Sequence, residues 1–256
     1  MKHLVLSLLA ASLCITAGAQ SRVTSMSANS TKMNVALLQN TEQTVQLSRH
    51  LFAGYNTLCL PMSLSAEQVA AAAKDLRVER LVAVKQEGAV LNLCFVDCTA
   101  EGLQAGVPYL VYSPTTQYLR AKTDNVLYTD ITLRPVRLSD SEGNQVSFGS
   151  SWETVKEEGR YGIPAQQSVT PLESVLIRTE ADKAFLPTRC GFTWDAQSAT
   201  ARELKIQHFG SMSDVTAVTA VKGSQTAATD VYGLDGQKMG QKKGIAITGG
   251  KKVVVK

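Results

Sequence analysis

The chain has 256 residues, 44% of them hydrophobic and 19% charged, with a formal net charge of +4. That length holds one large domain or two small ones, with enough apolar content for a real core. The basic excess is terminal: from Val215 onward there are seven lysines and two acids, whereas Ser21–Asp214 carries 18 basic and 20 acidic residues. Seven scattered lysines without arginines make a weak case for a nucleic-acid surface, and no nucleic-acid partner is expected.

Lys2 and His3 precede an apolar run at Leu4–Ile15, and Ala17-Gly18-Ala19 follows as a small-residue site. A basic start, an apolar middle and an A-x-A end predict a signal peptide over 1–19, hence export. Leu13 fills the position where a lipid-anchored signal needs a small residue, which sets Cys14 aside as an anchor. No apolar run in the mature part approaches a membrane span. The rest divides into a polar leader (20–43), a β-rich body (44–210), a linker (211–229) and a β tail (230–256).

Ser21–Asn34 reads as an extended or mobile leader. Thr44–Arg49 alternates, with Val45 and Leu47 inward and Gln46 and Ser48 outward, as a half-buried strand does. Tyr55–Leu60 is apolar at nearly every position and predicts a strand buried on both faces, closed by Pro61. Ser65 and Gln68 make a capping box, and Leu64 with Val69 a hydrophobic staple. A helix near 66–76 follows, with Val69, Ala72, Ala73 and Leu76 on one face. Val78–Lys85 and Ala89–Val96 flank Gln86-Glu87-Gly88, a hairpin signal. Ala105-Gly106-Val107-Pro108 turns into a strand at Tyr109–Tyr112.

Val126–Leu133, stopped by Pro135, is the next candidate strand, and Asp140–Asn144 is a turn before Gln145–Phe148. Trp152–Val155, Ser174–Arg178, Phe192–Trp194 and Glu203–Phe209 continue the series, with one more strand at Val215–Val221. In the tail, Ile245–Thr248, Gly249-Gly250 and Lys251–Val255 spell a two-residue hairpin. Many short strands at regular intervals predict a mainly β protein. The expected fold is an antiparallel β-sandwich-like body of one or two sub-sheets, one short helix and a small C-terminal β-meander.

Export removes Cys14 and leaves Cys59, Cys94, Cys98 and Cys190. The even count permits two disulfides in three pairings. Cys94 and Cys98 lie about 13 Å apart along one strand face, too far to pair with each other. Buried free thiols are the alternative, favoured because a chain this long needs no staples. The spacing does not suit zinc, and no cofactor is expected.

His50, Cys59 and Asp97 make a conceivable thiol nucleophile set, but a thiol inside an apolar strand is inert. Glu153, Glu157 and Glu158 beside Trp152 resemble a glycosidase pair less than a solvated polar loop. No catalytic residue is therefore assigned. Trp152, Trp194, Tyr112, Tyr118 and Tyr161 form the candidate ligand platform, since aromatic faces stack on sugars, although most such rings pack in cores.

In the tail, Val231, Tyr232, Gly236, Met239, Gly244, Ile245, Ile247, Lys252 and Lys256 fall where matching residues stand in a known pattern. The tail resembles the C-terminal sorting segments of cargo exported by the type IX secretion system of Gram-negative bacteria. Gly233 replaces the usual acid of that pattern, and Ala246 stands where an aromatic is common. Tyr55–Pro61 (YNTLCLP) and Ala105–Val111 (AGVPYLV) are similar to segments of secreted β-domains from the same bacteria, which carry no assigned activity. The resemblance implies a β-rich surface protein whose partners are the secretion machinery, through the tail, and glycans or surface proteins.

The expected function is structural or adhesive binding by an exported, non-enzymatic protein. A carbohydrate-binding module is the alternative, and a secreted hydrolase the third reading. The expected location is the cell surface or the extracellular space, with the periplasm as the fallback.

Overall fold

The computed structural model describes residues 22–164, 176–180, 183–195 and 203–216, together with the backbone of 232–233, 244–248 and 251–255. The expected signal peptide, the Asp235-Gly236 turn and most of the linker lie outside them. In chain order the elements begin with β1 (Arg22–Ser27), β2 (Glu42–Leu51), β3 (Gly54–Leu58) and α1 (Ala66–Ala72). Then come β4 (Arg77–Glu87), β5 (Val90–Asp97), β6 (Tyr109–Ser113), β7 (Gln117–Leu127), β8 (Val136–Ser139) and β9 (Gln145–Ser150). The series ends with β10 (Tyr161–Gly162), β11 (Ile177–Arg178), β12 (Cys190–Asp195), β13 (Glu203–Phe209), β14 (Tyr232–Gly233), β15 (Gly244–Thr248) and β16 (Lys251–Val255).

The chain is mainly β, as its turn signals predict, and its body is three layers deep. A central sheet of order β13-β5-β4-β6-β3 has a second sheet, β11-β10-β12-β9-β8, over one face. The other face carries α1 and a three-stranded sheet, β1-β2-β7. Pairing is antiparallel except at two edges, where β1 joins β2 and β13 joins β5 in parallel. Alternation along the central strands feeds two cores. Leu58, Val78, Tyr109 and Val111 point to the helix layer. Tyr55, Leu81, Leu93, Phe95 and Leu110 point to Phe148 and Phe192 on the second sheet. All five residues of β3 are buried, as a strand covered on both faces requires.

The capping box forms as read: Ser65 Oγ accepts from Gln68 N, and Gln68 Oε1 accepts from Ser65 N at 2.9 Å. The helix is shorter than its alanines suggest, because Ala73 is already extended. Gln117 explains this. Its carboxamide accepts from Lys74 N at 3.0 Å and donates to Lys74 O at 2.9 Å, replacing the helical partners. Leu76 still reaches the core.

Three strand expectations need correction. The strand expected at Val126–Leu133 is instead β7, which ends at Leu127; its inward residues, Leu119, Ala121 and Thr123, include two small or polar ones that blur the alternation. Trp152–Val155 makes only isolated bridges, Glu153 to Lys32 and Val155 to Phe185, because it passes between two different partners. Of the strand expected at Val215–Val221 only 215–216 are described; Val215 lies in a helical turn at 212–216, where it packs against Cys94 and Val96 of β5.

Both hairpins form; the first turns at Gly88-Ala89, since Gln86 and Glu87, expected in the connection, pair with Leu91 and Val90, and the second places Thr248 opposite Lys251 around Gly249-Gly250 as read. β14, β15 and β16 make a three-stranded antiparallel meander. Cys59, Cys94, Cys98 and Cys190 are all buried and free.

Two turn glycines give contrasting expectations. Gly106 has φ +74, and a Cβ there would stand 2.0 Å from the Thr132 carbonyl oxygen. Its own N–H and C=O are held by Leu60 O and Arg134 N, each at 2.8 Å, so the loop cannot yield. Gly88 has φ +61 with nothing within 4 Å of a Cβ. Gly88→Ala should therefore cost only the left-handed penalty of about 1 kcal/mol, and Gly106→Ala more than about 3 kcal/mol. Urea unfolding of the two variants checks the difference.

Candidate functional site

A seam between the two cores opens into a cavity of about 270 Å³. It begins with β2. Val45, Leu47, Arg49 and Leu51 share the inward face of that strand, so strict alternation places a guanidinium where an aliphatic chain would suit burial. Arg49 is only 4% exposed. Its Nη2 donates to Thr57 O at 2.7 Å and its Nη1 to Thr188 Oγ1. Nε has no hydrogen-bond partner among the described residues. No carboxylate there pairs with it either; its charged neighbour is Arg189, which adds repulsion.

The loop before β12 fixes these partners. Thr188 is fully buried at φ +67, an unusual conformation for a β-branched residue. Its carbonyl accepts from Cys59 N at 2.9 Å. One strand further in, Thr57 Oγ1 donates to Cys190 O at 3.0 Å and accepts from Cys190 N at 2.8 Å. The second sheet is thereby tied to β3, and Arg49 bonds to both sides of the junction.

Around the guanidinium, Phe52, Tyr55, Ile163, Pro164, Ile177 and Phe185 make apolar walls. His50, Lys183 and Arg189 supply further nitrogen groups, and no aspartate or glutamate is among the described residues that line the cavity. Arg160 lies over the Phe185 ring at 5.0 Å and steadies that wall. Burial, with the Arg189 charge adding to it, pushes the Arg49 guanidinium from its ordinary 12.5 down to about 9. Burial likewise lowers Arg189. The two thiols beneath move the other way: burial raises Cys59 well above its usual range and Cys190 to about 12. Neither is a thiolate near neutral pH. The arrangement can hold an anion, and it offers no activated nucleophile.

The aromatic residues singled out in the sequence do not form one platform. Trp194 and Tyr161 meet on the second sheet, 6.2 Å apart and tilted by 54°. Trp194 Nε1 is buried without a partner among the described residues, and its ring borders a second groove, of about 300 Å³, along β8, β9 and β12. Trp152 lies apart and donates from Nε1 to Ile131 O at 3.3 Å. Tyr112 sits 5.2 Å from Tyr55, below Arg77. Tyr118 is 49% exposed beside His50. Of the thiol set, His50 lines the cavity, while Asp97 is occupied by Thr99 N at 2.9 Å. Glu153 pairs with Lys32 at 2.5 Å and Glu157 with Arg160 at 3.1 Å, so these carboxylates serve separate ion pairs. Asp140 closes its turn by accepting from the backbone N–H groups of Glu142 and Asn144, both at 2.9 Å. Among the described residues no cluster of His, Cys, Asp and Glu suits a metal.

In the tail, Tyr232 faces Ile247, Gly244 faces Val255, and Lys252 faces Ile247 across the meander; Gly236 and Lys256 lie outside the described residues. No helix among the described residues is long and apolar enough to cross a membrane. No protein-family model matches the sequence, and no curated protein or solved structure shows significant similarity to it.

Proposed function

We propose that this is an exported, non-enzymatic binding protein, displayed on the cell surface or released from it. The observation that carries the binding reading is the Arg49 cavity, a preformed apolar recess with a few convergent polar groups. The thiols beneath it are neutral and no carboxylate is among its described lining residues, so its chemistry suits holding a ligand over transforming one. Export rests on the signal over 1–19, and sorting on the resemblance of 230–256 to a type IX segment. In this reading the meander is the part the secretion machinery engages.

A second reading, binding of sugars, draws on Trp194 and Tyr161 beside the groove along β8, β9 and β12. Melting of residues 20–256 with a panel of small organic molecules and glycans tests both. A true ligand at a hundredfold excess over its Kd raises stability by about 2.7 kcal/mol, and mass spectrometry recovers it unchanged. A chemically altered ligand overturns the non-enzymatic reading. Cell fractionation with and without Val231–Lys256 tests the tail; surface display that survives the deletion removes its sorting role.

A further inference from the structure

We propose that the cavity over Arg49 binds a small organic carboxylate, its anionic head on Arg49 and Arg189 and its hydrocarbon body against Phe52, Ile163 and Phe185. This deepens the binding reading above and rests on it. Three features of the cavity argue for it together.

The first is charge. A buried cation is retained only where something compensates it, and isolated burial costs far more than a hydrogen bond returns. Arg49 is 4% exposed, has no carboxylate partner among the described residues, and has Arg189 for a neighbour. Two guanidiniums line one cavity with no acid among its described residues, and an anion is the complementary charge.

The second is geometry. A guanidinium has five N–H donors in a planar fork. The protein engages one on Nη1 through Thr188 and one on Nη2 through Thr57, while Nε stays unpartnered. Nε itself is buried, so the donors that remain for a ligand are the second N–H groups of Nη1 and Nη2. The protein acceptors fix the plane of the fork and leave donors over for a ligand.

The third is the wall. The remaining surface is mainly aromatic and aliphatic, and the volume of about 270 Å³ suits a small molecule over a polymer. A free inorganic phosphate would leave those walls uncovered and would surrender its hydration to an apolar lining. An aliphatic or aromatic acid satisfies both halves of the cavity.

Isothermal titration of residues 20–256 with hexanoate tests this, using hexanamide as the neutral isostere and inorganic phosphate as a third probe. Hexanoate is expected to bind about ten- to hundredfold more tightly than hexanamide, the range set by charge-assisted bonds. Phosphate is expected to give no competition. Arg189→Gln, at a partly exposed position, should weaken hexanoate about tenfold and hexanamide far less, while the ligand-free protein still melts cooperatively. Arg49→Met should abolish the preference for the acid. Equal binding of acid and amide, or full hexanoate binding by Arg189→Gln, overturns the assignment. If hexanoate gives no heat while a neutral ligand raises the melting temperature, the carboxylate assignment falls and the binding reading stands. If neither ligand class binds, both fall.

Discussion

Phe192→Ala is expected to lower the unfolding free energy by about 3–5 kcal/mol, the range for a fully buried phenylalanine. Phe192 is completely buried on β12 and lies opposite Phe148 of β9. The two rings stack with centroids 4.3 Å apart at 7°, and Phe95 from the central sheet meets them edge-on at 5.7 and 6.2 Å. This trio joins the second sheet to the central one, so truncation removes ring contacts to both sheets as well as apolar burial. Domains of this kind have about 5–15 kcal/mol in total, so the loss is a large fraction. Val23, 58% exposed on β1, is the control, and Val23→Ala should stay within about 0.5 kcal/mol. Guanidinium unfolding measures both. A Phe192→Ala loss below about 1 kcal/mol would mean that the second sheet does not depend on this junction.

Much of the architecture was legible where local chemistry decides it. The capping box at Ser65, the hairpin at Gly88 and the doubly buried β3 follow from a few adjacent residues. The failures have long-range causes. Nothing near Ala73 announces that Gln117, over forty residues on, will capture the backbone of Lys74 and end α1. β7 hides because Ala121 and Thr123 occupy inward positions that a hydrophobic pattern would give to larger residues. The parallel pairing of β13 with β5 joins segments more than a hundred residues apart and leaves no local signature.

The cavity was half legible. Val45 and Leu47 point inward, and the same period of two carries on through Arg49 to Leu51. A charged residue in phase with a buried face is the signal that marks Arg49. The other half comes from 183–190, whose approach to β3 depends on Thr188 O, Thr57 Oγ1 and the strained Thr188 backbone. Aromatic residues drew attention in the sequence because ring faces bind sugars, yet most of them are spread through packing roles.

The second large effect concerns pH. Arg49 is pushed down to about 9 in the folded protein from an ordinary 12.5, first by burial and then by Arg189. Between those values the unfolded chain carries a proton that the folded chain has released, so stability rises with pH. Below about 9 both states are charged and the folded state carries the whole cost of burying the cation. Wild type compared with Arg49→Met should therefore gain up to about 1.4 kcal/mol per pH unit above that point. Lysines and tyrosines titrate in the same window, but they are common to both proteins and cancel in the difference. Bound hexanoate should suppress the rise, because an anion beside the guanidinium restores its proton affinity.

Arg49 is a buried cation with no acid among the described residues to balance it. Carbon-13 NMR of the guanidino carbons, followed from pH 7 to pH 11 in protein labelled at arginine, reads this directly. One resonance, missing from Arg49→Lys, should titrate near pH 9, and it should stay protonated to higher pH when hexanoate is present. An Arg49 resonance that is flat across the whole range with no ligand added would contradict the account.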